Sequence, residues 1–183
     1  MMRFEKSVTK YFVQNVLDHL HKVIKEKGIT FPPKSDTLRV DPDERSRYYV
    51  IALGGYGPVA WLYLERQKGW EAWEVMQVYV NPEFRGRGFA RRLYDDAIVN
   101  DGIMLASGKT QSKYTRGLWE SFIRSERYDL FAIDFKDLDS VCPVFWDAES
   151  EMVWSDLKLY FTQNDPAYEQ NRDVRLIATR KKE

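Results

Sequence analysis

Apolar residues first recur at helical spacing. Phe12, Val13, Val16, Leu17, Leu20, Val23 and Ile24 lie three and four residues apart, which predicts an amphipathic helix over about 11–27 with one stripe turned to a core. Gly28 suits the C-terminal stop, because glycine accepts the left-handed conformation that closes a helix. Residues 30–47 are polar and hold Pro32, Pro33 and Pro42, so they read as a loop with room for a short strand or helical turn. Three β-rich runs follow, at 48–53, 58–65 and 70–80. Glycines 54, 55, 57 and 69 separate them, and the short links predict an antiparallel meander.

The period then returns to helical. Ala90, Leu93, Tyr94, Ala97 and Ile98 predict a helix that Asn100-Asp101-Gly102 ends. A short strand at 103–106, a helix over about 112–125 built on Leu118, Trp119, Phe122 and Ile123, and a strand at 130–135 come next. Residues 136–150 read as loop, 153–161 partly alternate, Asn164-Asp165-Pro166 breaks that run, and 174–179 look like a final strand. The strand-helix-strand unit over 75–106 implies a parallel pair with a right-handed crossover. The whole reads as α/β (α+β): a mixed sheet flanked by helices.

Length changes this picture little. A chain of 183 residues fits one domain, with 136–183 as its variable C-terminal strands and substrate-side loop. Lys and Arg number 28, as do Asp and Glu. The balance argues against nucleic acid as a partner, because a phosphate-binding footprint shows as excess basic charge. Cys142 is the only cysteine, so no internal disulfide can form and a reducing compartment fits. With two histidines, both in the first helix, no histidine metal site is suggested. No apolar run approaches a membrane span and the first residues lack a signal-peptide core, so a cytoplasmic protein is expected.

One segment carries chemistry: Val78-Tyr79-Val80-Asn81-Pro82-Glu83-Phe84-Arg85-Gly86-Arg87-Gly88-Phe89-Ala90. A strand that runs through a glycine-bearing turn into a helix builds an anion site. Amides at the helix start lack internal partners and the helix dipole adds positive charge. Gly86 and Gly88 let a phosphate approach the backbone, while Arg85 and Arg87 add forked donors. A dinucleotide fingerprint would need a third glycine or alanine where Arg91 stands, and a nucleoside-triphosphate loop would need Gly-Lys-Ser/Thr. Glycine spacing alone leaves a structural turn with solvated arginines as the plainer reading.

The full segment resembles the GCN5-related N-acetyltransferase (GNAT) superfamily. Arg85-Gly86-Arg87-Gly88-Phe89-Ala90 satisfies its Gln/Arg-x-x-Gly-x-Gly/Ala signature, and the element order from Tyr11 to Phe135 is similar. Leu118-Trp119 and the Arg175–Thr179 run look like small bacteriophage-encoded members. The resemblance implies a mostly antiparallel sheet with a splayed parallel pair, and acetyl-coenzyme A as cofactor. Amides of Arg85, Gly86, Arg87, Gly88, Phe89 and Ala90 would hold its pyrophosphate. Backbone at Val78, Tyr79 and Val80 would take the pantetheine arm like an added strand.

An attacking amine must be neutral, and a carboxylate can take its proton. Glu74 lies eleven residues before Arg85, a spacing similar to that of the base glutamate in lysine-acetylating members. Simple alternation puts it on one face with Met76, Val78 and Val80. Where family members carry Leu-Tyr to protonate the leaving thiolate, this chain has Leu118-Trp119. Indole is no acid, so Trp119 is expected to pack on the pantetheine or in the core, and Tyr114 or Ser112 to replace the acid.

The implied activity is acetyl transfer to a primary amine, on a protein or a small molecule. Asp134, Asp137, Asp139, Asp147, Glu149 and Glu151 would draw a cationic substrate. A GNAT-fold protein that acts by binding a host or other partner is the alternative, and a homodimer is left open.

Overall fold

A computed structural model describes residues 2–31, 36–108, 113–125, 127–134, 137–147, 152–154 and 174–181. Helix α1 spans Met2–Glu26, starting about nine residues before the apolar stripe suggests. It closes as glycine dictates: Gly28 sits at φ 61° and the Ile29 amide donates back to the Ile24 carbonyl at 3.0 Å.

Eight strands form one sheet in the order β1-β2-β3-β4-β5-β10-β6-β7. Their ranges are β1 Thr37–Val40, β2 Ser46–Leu53, β3 Gly57–Arg66, β4 Trp73–Val80, β5 Leu105–Ala106, β6 Tyr128–Asp134, β7 Asp137–Pro143 and β10 Val174–Arg180. Strands β8 (Phe145–Asp147) and β9 (Met152–Trp154) pair separately. Every pairing in the large sheet is antiparallel except β4 with β5. The expected mixed, mostly antiparallel sheet with one parallel pair is therefore present.

The two faces are covered differently. Val16, Leu20 and Val23 of α1 pack on Tyr48, Val50 and Trp61. The other face holds the larger core, where α2 (Phe89–Asp95) and α3 (Lys113–Ser125) set Leu93, Tyr94, Trp119 and Phe122 against Leu62, Leu64, Val75 and Leu176. A π-helical turn, Asp96–Asn100, extends α2. Burial of these apolar faces at roughly 25 cal/mol per Å² is what holds helices to sheet.

Three expectations need correction. Residues 137–143 and 145–147, read as loop, are strands, and β7 closes the sheet edge beside β6. Their acidic residues masked the β pattern, because an edge strand needs only one apolar face. The strand expected over 103–106 pairs only at Leu105 and Ala106. The strand expected over 153–161 starts one residue earlier, at Met152, and its part beyond Trp154 lies outside the described residues, as does the 164–166 break.

Candidate active site

The site begins where two strands part. β4 and β5 pair only through Trp73↔Leu105 and Glu74↔Ala106. Beyond that point β5 ends, and the Ser107 amide turns to the Leu176 carbonyl of β10 at 2.8 Å. Among the described residues, β4 from Val75 to Val80 is laddered to β3 alone. The opening is a wedge with Glu74 at its vertex.

A bulge aims the wall of this wedge. β3 and β4 run in register from Ala60↔Val80 to Tyr63↔Gln77, then shift so that Leu64 faces Val75, leaving Met76 as the extra residue. Before the bulge, the Trp73 amide points to β5 and bonds the Met104 carbonyl at 2.9 Å. After it, the Asn81 amide points the opposite way and bonds Val59 of β3 at 2.8 Å. Backbone groups alternate along a strand, so one extra residue reverses the parity. Val78 and Val80 therefore turn their peptide groups into the wedge; an unbulged strand would present Gln77 and Tyr79.

The same bulge overturns the expected side-chain face of Glu74. Val78 and Val80 pack toward the core under α2 and α3, with Val75. Glu74 instead pairs across from Glu65, on the face where Gln77 accepts from the Trp61 indole at 2.7 Å and Tyr79 stacks on Trp61. Met76 stands out at 37% exposure.

Glu74 is buried but held. Gln67 Nε2 donates to its Oε2 at 2.9 Å, and Arg175 Nε of β10 lies 3.9 Å from its Oε1. Arg175 is itself buried, and its Nη1 donates to the Val174 carbonyl at 3.0 Å. Neither partner was expected from sequence. The signal for Arg175 was a single charge at the second position of the otherwise apolar run Val174–Ala178; a strand buried on both sides tolerates that only with a counter-charge.

At the far end of β4, Asn81 caps a single 3-10 turn, Pro82–Phe84, by accepting from the Glu83 amide at 3.1 Å. Phe84 is buried, with Tyr56 edge-on to its ring and the Arg87 guanidinium 5.0 Å above it. This anchor, also missed from sequence, fixes the loop that follows. Gly86 and Gly88 adopt φ 77° and 75°, and a Cβ at either would meet nothing within 4 Å. Conformation, not crowding, demands glycine at both positions. Gly88 opens α2, Phe89 packs on the core, and Arg85 to Gly88 are exposed. Arg85 Nε donates to the Val80 carbonyl at 3.3 Å, tying the loop to the strand. An open backbone in which Gly86 and Gly88 alternate with the exposed Arg85 and Arg87 fits a phosphate group.

The helical candidates separate. Trp119 has 0% exposure and lies edge-on to Tyr94 and Phe122, so of the two roles expected of it, packing on the pantetheine or in the core, it takes the core and offers no surface to a cofactor. Its Nε1 and the Tyr94 hydroxyl have no hydrogen-bond partner among the described residues. Burial pushes the Tyr94 phenol above its ordinary range, and the nearby Trp119 indole N–H moderates this. Trp119→Ala is expected to cost about 3–5 kcal/mol in stability, measured by denaturant unfolding. Trp119→Phe, which keeps a ring and removes the unpaired N–H, should cost far less. Tyr114 is 83% exposed, its ring 6.0 Å from the Arg85 guanidinium. Ser112 lies outside the described residues. On α2, Arg92 reaches Asp36 at 3.7 Å and Asp96 at 3.9 Å, while Arg91 lies over the Phe122 ring.

The splayed parallel pair, the bulged strand and the glycine loop that opens α2 all fall within residues 73–106. Residues 16–106 match the family model described as "Acetyltransferase (GNAT) family". That match supports placing the chain in the GNAT acetyltransferase family. None of the curated proteins compared with the chain matches it. Among solved structures, the chain is similar to an acetyltransferase of the GNAT family from Staphylococcus aureus, at 16% identity and TM-score 0.41, over 75% of this chain and 69% of that one. It is also similar to an IAA acetyltransferase from Bacillus cereus, at 16% identity and TM-score 0.42, over 80% and 99% respectively. Among the described residues, no helix is long and apolar enough to cross a membrane.

Proposed function

We propose that this protein transfers the acetyl group of acetyl-coenzyme A to a primary amine by direct attack. The observation that carries the reading is the layout of β4: a wedge with a carboxylate at its vertex and a glycine-arginine loop at its other end. From Glu74 to Val80 the strand spans about 20 Å at roughly 3.3 Å per residue, which suits an extended arm with phosphate at one end and thioester at the other.

The chain's own groups divide the work. Amides of Arg85 to Ala90, with the Arg85 and Arg87 side chains, bind the pyrophosphate. The peptide groups of Val78 and Val80 bond the pantetheine arm as a missing strand would. Acetyl-coenzyme A supplies an activated carbonyl, and the Val78 N–H faces the wedge where that oxygen gains charge. The amine nitrogen bonds to the carbonyl carbon as the C–S bond breaks; sulfur leaves with the electron pair and takes up a proton. Glu74, directly or through water, accepts the amine's proton, since an amine of pKa about 10.4 is mostly charged at neutral pH.

The test is to incubate the protein with acetyl-coenzyme A and a cell lysate and to map new acetyl groups. Acetylated amines are expected; their absence would overturn the transferase reading. On an acceptor so found, Glu74→Gln should lower turnover by about 100-fold or more while the dissociation constant for coenzyme A stays the same. Unchanged turnover would remove Glu74 from the base role.

A further inference from the structure

We propose that Tyr114 is a cofactor-binding residue whose ring, paired with Arg85, stacks on the adenine of coenzyme A. The inference rests on the proposed function and adds a recognition element for the nucleotide end. Tyr114 is the most exposed large hydrophobic side chain among the described residues, at 83%. It stands one residue into α3, and the Arg85 guanidinium lies 6.0 Å from its ring centroid.

Arg85 locates the ring. Its Nε is bonded to the Val80 carbonyl, so the side chain is held at the junction of β4 and the glycine loop. A tyrosine beside it is at the phosphate end of the wedge, whereas Glu74 marks the other end. A phenol placed there is remote from a thioester drawn to Glu74, which disfavours the expected acid role. What the pair does offer is a π face and a flat guanidinium, both open to solvent. Of the parts of coenzyme A, the pantetheine arm is met by strand backbone and the phosphates by amides and arginines. Only adenine is a flat aromatic group, and base–aromatic and base–arginine stacking are sequence-free attractions of useful size.

The experiment compares coenzyme A with 4′-phosphopantetheine, which lacks the adenosine, by titration calorimetry. Tyr114→Ala should weaken coenzyme A about tenfold and leave phosphopantetheine unchanged, and Tyr114→Phe should retain wild-type affinity for both. The exposed position makes both variants expected to fold. Equal weakening of both compounds, no weakening of either, or failure of phenylalanine to restore affinity would overturn the stacking role. If the wild-type protein binds neither compound, the cofactor reading beneath it fails instead.

Discussion

Gly88→Glu is expected to weaken coenzyme A binding by about 100-fold or more while leaving the protein folded. Two effects combine. Gly88 sits at φ 75°, where an L-residue costs about 1–2 kcal/mol. A carboxylate there would also face the cofactor's phosphates. Like charges about 4 Å apart at an effective dielectric near 20 repel by roughly 4 kcal/mol before screening. Because a Cβ meets nothing within 4 Å, the fold has no steric reason to fail, and circular dichroism should show it. Gly88→Ala separates the effects: it carries the strain without the charge and should lose tenfold or less. Calorimetric titration of coenzyme A decides the matter, and undiminished affinity in Gly88→Glu would remove this loop as the phosphate site.

Arg175→Met is expected to cost about 3 kcal/mol of stability. The substitution keeps an apolar stem of similar length but leaves Glu74, with only 8% of its side chain exposed, without the guanidinium beside it. Breaking one side of a buried ion pair costs about 3–5 kcal/mol because the remaining charge stays desolvated. The value here should fall at the low end, since Gln67 still donates to the carboxylate and the pair is separated by 3.9 Å. For a chain of this size that corresponds to a fall in Tm of roughly 6–12 °C. The double variant Glu74→Gln/Arg175→Met should recover much of the loss, because the orphaned charge is gone. If single and double variants unfold alike, the two residues are not coupled.

This pair also ties the chain's last described strand to the candidate site. β10 lies between β5 and β6, pairing with both, so Arg175 reaches Glu74 across more than a hundred residues of sequence. Any lesion that dislodges β10 would affect the vertex of the wedge as well as the sheet.

Much was legible in the sequence because it is local. The α1 stripe from Val13 to Ile24, the meander of β2 to β4 and the α2 repeat from Ala90 to Ile98 are periodic patterns that burial enforces. The Arg85–Ala90 segment announces a tight turn into α2 because tolerance of positive φ at Gly86 and Gly88 is a property of those residues themselves. The tertiary structure decided what depends on partners. One extra residue, Met76, reversed the parity of β4, so that Val78 and Val80 give the wedge their backbone while Glu74 faces the α1 side. Alternation counted along the chain cannot reveal a bulge, because its register exists only against β3. Trp119 looked equally suited to slot or core by its chemistry, and packing between Tyr94 and Phe122 put it in the core. The sequence by itself determined the positive-φ glycine turn that opens α2; only the sheet, by ending the β4–β5 pairing at Glu74 and bringing Arg175 beside it, determined where that turn's strand opens and which carboxylate stands at the vertex.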